Sequence, residues 1–450
     1  MSVAHLSRLT IAAVAGPAVP FAALTMPLIV YLPAFYAGRL GIPLSIVGAV
    51  FTAVRLIDIA VDPVLGILMD RTTGRFGRFK PWLAASVPML VGGGFMLFAP
   101  PETASAAYLF VALLVCYIGW SILGLAQMGL MAGISANGDE RARIYAAWQG
   151  GFAIGILLMA AVPKLVEVAG QDSPEAPIHA MAWFVALAAI GTVAISLLVV
   201  KEARAPIAAI VPLADYFRLL RRPTVGRLMA VELALGVGSG VAGSTIIFYF
   251  SRVKGLSVVD VSVIIFGSVA ISFLILPIWA KIAVIFEKHK ALLFATCIAA
   301  SAQCIIIFIG RGNFWQLFGA YVLVNIAVAA HQMFPRAMMA DVADEEMLIA
   351  GRDVTATLYA LLIGTFKVGQ AVSIALSFWM LQFVGFNPEM NATNKEVALT
   401  GLSLLFIAVP AALFVSAGVL IRRWPLTQAR HDQIRAKLEE ARRDRPTEVA

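Results

Sequence analysis

Long apolar runs constrain this chain more than any other feature of its sequence. Twelve follow one another, at about 11–37, 43–70, 82–99, 105–134, 145–169, 178–200, 224–250, 258–283, 291–310, 314–340, 354–384 and 398–421. Each matches the roughly 20 residues that a helix needs to cross a hydrocarbon core. In lipid the backbone amides must be satisfied within the segment, so runs of this length fold as helices. A transmembrane β-barrel would show alternating segments of about 10 residues instead, and the sequence has none. Hydrophobic residues make up 61% of the 450 and charged residues 13%, against about 25% charged in soluble domains. So few charges cannot cover a water-facing surface, which excludes a soluble enzyme. Cys116, Cys297 and Cys304 all sit in apolar runs, and an odd count implies no disulfide framework.

The first run begins like a secretion signal, with Arg8 ahead of apolar residues, but it continues past Pro17 and Pro20 to Tyr36. That is span length rather than signal length, so an uncleaved first helix is expected. With both termini placed in the cytoplasm, 26 of the 34 Lys and Arg fall on the cytoplasmic side and six on the outer side. This is the asymmetry of the positive-inside rule. The net charge of +8 then reflects topology, and no nucleic-acid partner is expected. The longest polar interruption, 201–223, is basic and carries Pro206, Pro212 and Pro223, with six runs before it and six after. The expected organisation is a six-helix bundle over 1–200, a cytoplasmic linker over 201–223, a second six-helix bundle over 224–421 and a cytoplasmic tail over 422–450. Polar segments after the second and fourth runs of each half recur roughly 205–214 residues apart, which suggests duplication. Many secondary transporters are built from such repeats, with the solute site near mid-membrane.

Charges inside a membrane span are costly and mark function by default. The second run carries Arg55, Asp58 and Asp62. Asp58 and Asp62 are four apart and share a helix face. At about 1.5 Å per residue they lie roughly 18 Å and 12 Å from Asp70, near mid-membrane. Two carboxylates this close repel unless a proton or cation joins them, which is the physics of a coupling-ion site. The alternative is a buried Arg–Asp pair that only locks two helices. Lys367 stands in the middle of the eleventh run and needs a carboxylate or a polar cavity; Asp58 or Asp62 would serve. Softer signals are Gln127, Trp148, Gln149, His331 and Gln332, with Ser239, Ser244 and Thr245. Aromatic rings pack on a pyranose face and amides bond its hydroxyls, although each such residue is also ordinary helix-packing material. The sequence has no phosphate-binding Gly-rich loop ending in Lys-Ser or Lys-Thr and no Cys/His metal spacing. Neither a cofactor nor ATP-driven pumping is expected.

The stretch from Arg55 to Trp82, with Arg55, Asp58, Asp62-Pro63, Gly66, Asp70-Arg71, Arg75, Arg78 and Lys80-Pro81 in place, resembles the second-helix signature of the glycoside–pentoside–hexuronide:cation symporters. These form the melibiose-permease-like branch of the major facilitator superfamily. Asp139-Glu-Arg141-Ala-Arg143 looks like the family's loop after helix four, and Ala340-Asp341-Val-Ala-Asp344-Glu345 like that after helix ten. Gly351-Arg352, followed by Lys367-Val-Gly, looks like its helix eleven. The resemblance implies an all-α membrane protein of twelve helices in two pseudo-symmetric six-helix bundles, the major facilitator fold, in a bacterial-type inner membrane. It also implies Asp58, Asp62 and Lys367 as coupling residues, with Arg55 and Asp58 beside the sugar. A conformational latch would consist of Gly66, Asp70, Arg71, Arg75, Arg78, Asp139, Arg141 and Asp341. Val61 stands where sodium-using members often have a polar residue, and Ala22 and Gln127 stand in regions where melibiose permease has acids. A proton needs one carboxylate where sodium needs several oxygens, so H+ is favoured over Na+. The expected function is H+-coupled symport of a sugar or glycoside by a monomer in the lipid bilayer. A lysolipid carrier of the same fold, and a sensor that binds solute without moving it, are the alternatives.

Overall fold

The computed structural model describes residues 6–72, 76–134, 138–171, 173, 175–202, 218–350, 354–389 and 393–443. Among them are twelve helices long and apolar enough to cross a membrane. They are α1 (Arg8–Gly38), α2 (Leu44–Arg71), α3 (Lys80–Phe98), α4 (Ala106–Ile134), α5 (Gly138–Val168), α6 (Ala176–Val199), α7 (Pro223–Val253), α8 (Val258–Phe286), α9 (Lys288–Phe308), α10 (Phe314–Ala350), α11 (Thr355–Phe383) and α12 (Glu396–Arg422). A further polar helix, α13 (Gln428–Arg443), ends the described chain. No strand occurs among the described residues. The helices follow the apolar runs closely. The main differences are at α5, which begins at Gly138 rather than 145, and α10, which continues past 340 to Ala350. The extension of α10 holds Asp341, Asp344, Glu345 and Glu346, whose carboxylates are met by Lys288, His431, Arg430 and Arg222, so it needs no apolar composition to persist. Within α1, the turn Pro27–Tyr31 widens to a π-helix. Pro27 has no N–H to donate and its ring crowds the preceding turn, a common origin of such irregularities.

The chain divides into two compact units, each built from separate segments. The first comprises residues 1–209, 243–266 and 374–402. Small residues set its helix contacts, as expected where lipid leaves packing as the main attraction between helices. Gly93 of α3 faces the backbone of Cys116 on α4, 2.7 Å from where a Cβ would stand. Gly155 of α5 faces the backbone carbonyl of Val19 on α1. The segments from later in the chain are tied to α1 and α2 by polar bonds. The Tyr31 hydroxyl donates to Ser262 Oγ at 2.9 Å, the Ser45 N–H to Gln382 Oε1 at 2.7 Å, and Trp379 Nε1 to the Ser45 carbonyl at 3.0 Å. At the other end of this unit Glu202 caps α3. Its carboxylate accepts from the backbone N–H groups of Arg78 (2.6 Å), Phe79 (2.9 Å) and Lys80 (3.2 Å). Gly77, at φ +94°, shapes the turn that presents them.

The second unit comprises residues 210–242, 267–373 and 403–450. Its core gathers Trp279, Phe334, Phe414 and Trp424 with leucines of α7, α9 and α11. Trp279 Nε1 donates to the Ile326 carbonyl at 2.9 Å, which spares a buried indole an unmet donor. Ile434 and Leu438 bring α13 onto this core, so that part of the polar tail is packed rather than free in solvent. Of the linker expected at 201–223, residues 203–217 lie outside the described residues.

Candidate functional site

The charged residues of α2 are built into the first unit by one face of α4. Tyr117, Trp120 and Ser121 stand at i, i+3 and i+4, so all three project the same way. The Arg55 guanidinium carbon lies 5.1 Å from the Tyr117 ring centre and 4.9 Å from that of Trp120. Arg55 Nη1 donates to Asp58 Oδ2 at 3.2 Å. The other carboxylate oxygen, Oδ1, accepts from Ser121 Oγ at 2.5 Å. Arg55 is 8% exposed and Asp58 2%. A charge so deeply buried persists only when paired and hydrogen-bonded, and here both oxygens of Asp58 are held. Asp62, one turn further along α2, is half-buried.

An aromatic row leads away from this pair. Trp120 stacks on Phe21 of α1 at 4.9 Å with 20° between the planes, and its Nε1 donates to the Phe21 carbonyl at 2.8 Å. Phe21 meets Phe152 of α5 at 6.3 Å, and Phe152 meets Trp148 at 5.4 Å. Trp148 Nε1 donates to Gln127 Oε1 at 3.3 Å. Gln127 is 1% exposed, and its amide nitrogen donates to the carbonyls of Val14 (3.0 Å) and Ala15 (3.2 Å). Gln127 thus joins α1, α4 and α5. Gln149, next to Trp148, is exposed. The row gives half-buried ring faces on α1 and α5 beside an ionised pair, a combination suited to a polar solute with an apolar face.

Three further residues singled out in the sequence belong to the second unit. His331 is 4% exposed, hydrogen-bonded with the Ala295 backbone and 5.2 Å from the Phe414 ring. Gln332 is exposed on α10 and Lys367 is half-buried on α11. The expected latch residues are distributed. Gly66 is half-buried and Arg71 exposed at the end of α2. The Arg78 guanidinium lies 4.9 Å from the Phe79 ring centre. Asp341 is paired with Lys288, at 2.6 Å. Arg75 and the side chains of Asp70, Asp139 and Arg141 lie outside the described residues.

Residues 14–428 match the family described as MFS/sugar transport protein. The chain belongs to that family. Two relatives of this transporter are full-length matches. A protein of Escherichia coli strain K12 named as a glycoside/cation symporter, YagG, is 24% identical over 92% of this chain and 90% of its own. The inner membrane symporter YicJ of the same organism is 24% identical over 88% and 86%. Among solved structures, that of the nucleoside transporter NupG superposes with a TM-score of 0.67 at 14% identity, covering 93% of this chain and 100% of that one. At that identity the likeness concerns the fold, and the fold is that of the major facilitator superfamily. The symporter-family resemblance read from the second run is borne out. The protein is a multi-pass membrane transporter.

Sequence reasoning missed the α4 face. Tyr117, Trp120 and Ser121 sit in an apolar run, where two aromatics and a serine look like ordinary span composition. Their i, i+3, i+4 spacing was the available signal, and it needed Arg55 and Asp58 opposite to acquire meaning. Glu202 was equally silent, because a lone acid after a span gives no hint that three backbone N–H groups converge on it.

Proposed function

We propose that this protein imports a sugar or glycoside together with a cation, H+ in preference to Na+, by alternating access. The observation that carries the reading is the buried Arg55–Asp58–Ser121 cluster beside the Phe21–Trp120–Phe152–Trp148 row. Asp58 and Asp62 are the coupling carboxylates in this scheme, and Lys367 is the third member on sequence grounds. Without a bound ion the two carboxylates hold surplus negative charge one helical turn apart, which resists closure. A proton or cation removes the surplus, the solute fills the adjoining space, and the loaded transporter reopens on the other side. Each charge carried inward gains about 2.3 kcal/mol per 100 mV, about 50-fold in accumulation. The membrane is the bacterial inner membrane, with both termini cytoplasmic, a reading supported by the placement of Lys and Arg and by the name of YicJ.

The test is the pH of a weakly buffered suspension of expressing cells, given glycosides, pentosides, hexuronides and lysolipids one at a time, with and without sodium. Alkalinisation with one sugar, lost in Asp62→Asn, is the expected result. Normal uphill accumulation by Asp62→Asn would remove that residue from the coupling role. A response to lysolipid alone would reassign the cargo, and solute binding without movement under any gradient would make the protein a sensor.

A further inference from the structure

The second unit holds a dense ionic group apart from the Arg55–Asp58 cluster of the first. At the end of α10, Asp341, Asp344, Glu345 and Glu346 follow within two turns. Three of them meet permanent cations among the described residues. Lys288 Nζ donates to both oxygens of Asp341, at 2.6 and 2.8 Å. Arg430 of α13 donates to Glu345 Oε1 at 3.0 Å, and Arg222, just before α7, pairs with Glu346 at 3.1 Å. The fourth acid, Asp344, meets an imidazole instead. His431 Nε2 of α13 stands 2.9 Å from Asp344 Oδ2 and 3.5 Å from Asp341 Oδ1.

His431 is 5% exposed and shares the packed face of α13 with Ile434, while Asp432, Gln433 and Arg435 are exposed. Its other ring nitrogen, Nδ1, is buried with no hydrogen-bond partner among the described residues, so the polar contact of this ring there runs through Nε2. The remaining ionisable neighbours come from the segments around it. Glu287, before α9, accepts from the Gln428 N–H at the start of α13 at 3.1 Å and from Lys290 Nζ at 2.7 Å, with His289 at 3.9 Å. On α11, the Tyr359 hydroxyl donates to the Arg336 carbonyl at 2.9 Å and feels the Asp341 charge.

We infer that α13 is a strap whose grip depends on the protonation of His431. A neutral imidazole donates one N–H toward Asp344. A protonated one adds a cation opposite Asp344, Asp341 being held already by Lys288, and completes the pairing of the acidic end of α10. A neutral N–H already donates to a carboxylate here, so protonation adds an ion-pair attraction to that bond, and imidazole changes charge between about pH 5 and 8. Acidification on the side of the tail therefore tightens α13 over α10, and alkalinisation loosens it.

The test uses the full chain in lipid nanodiscs, with Cys297 and Cys304 replaced by Ser and spin labels on Gln433→Cys of α13 and Ile285→Cys of α8. Electron–electron distance distributions are recorded at about pH 5.5 and about pH 8, which bracket imidazole titration. A single narrow distance is expected at the lower pH, with the docked-to-undocked ratio falling about tenfold at the higher as the ion-pair attraction between His431 and Asp344 is lost. His431→Gln should give the same distribution at both values. Asp344→Asn, which keeps the imidazole and the packed face, should also lose the response. A distribution that does not change with pH when both residues are present overturns the inference. So does a pH response that survives in either variant.

Discussion

Arg55→Leu leaves the Asp58 carboxylate buried with the Ser121 hydroxyl but without its cation. Charges about 4 Å apart interact by about 4 kcal/mol at an effective dielectric of about 20, and removing one partner of a buried pair costs about 3–5 kcal/mol. The guanidinium also loses the Tyr117 and Trp120 faces, each an attraction of about 0.5–2 kcal/mol. Asp58→Asn falls at the lower end of that range, because Arg55 keeps both rings. If the pair is the dominant contact, the double variant is no less stable than Arg55→Leu alone, and the cycle shows coupling of about 2 kcal/mol or more; independent sites add to within about 0.5 kcal/mol. Unfolding of the four proteins in mixed detergent–dodecyl sulfate micelles, followed by circular dichroism, gives the cycle. Additive losses would refute the energetic argument. Uptake by the same proteins separates stability from coupling. The double variant should be no less stable than Arg55→Leu and still fail to accumulate solute uphill. Recovery of accumulation as well would mean that the pair only locks α2 to α4 and that Asp58 carries no coupling role.

Other consequences follow from contacts in each unit. Glu202→Ala strips three backbone N–H groups at the start of α3 of their acceptor and should cost about 1–3 kcal/mol, seen as lower thermal stability and faster amide exchange at residues 78–80. Gly155→Ala drives a methyl group into the Val19 carbonyl where α5 crosses α1 and should destabilise by about 1–3 kcal/mol; unchanged unfolding would show that the crossing can relax. Glu287 is held below its ordinary value of 4.5, first by Lys290 and then by the Gln428 N–H. A depressed carboxylate stabilises the fold above its unfolded value and loses that contribution as pH falls through the folded one. Protection of the Gln428 amide should therefore decline as the pH drops below about 4.5, and in Glu287→Gln it should be low already at neutral pH.

Much of the fold was legible because lipid leaves a chain few options. Span length, the need to satisfy every backbone amide and the scarcity of charge together specify helices and very nearly their ends. The misjudged ends are informative. The α10 helix runs beyond its apolar run through Asp341, Asp344, Glu345 and Glu346 because Lys288, His431, Arg430 and Arg222 meet those acids, and these partners come from three other segments. A window of hydropathy sees the acids and stops. It cannot see the partners that make them tolerable, since none of the four is near in sequence.

The candidate site divides along the same line. Arg55, Asp58 and Asp62 stood out because a charge in an apolar helix is anomalous wherever it occurs, and the anomaly is local. Tyr117, Trp120 and Ser121 were invisible because nothing about an aromatic or a hydroxyl in a span is anomalous until a guanidinium and a carboxylate lie against it. The Gln127 amide shows the converse. Its polarity within α4 attracted a ligand reading, yet its donors are taken by Val14 and Ala15 and its acceptor by Trp148. Polarity in a span signals a demand for partners, and the sequence alone does not say whether neighbouring helices or a solute will meet it. For Asp58 the Arg55 and Ser121 bonds meet that demand within the unit, so neutralisation of Asp58 must compete with two existing donors. Asp62 is the more exposed carboxyl of the two. Of the pair, it is the one whose replacement by Asn should separate solute exchange from uphill accumulation.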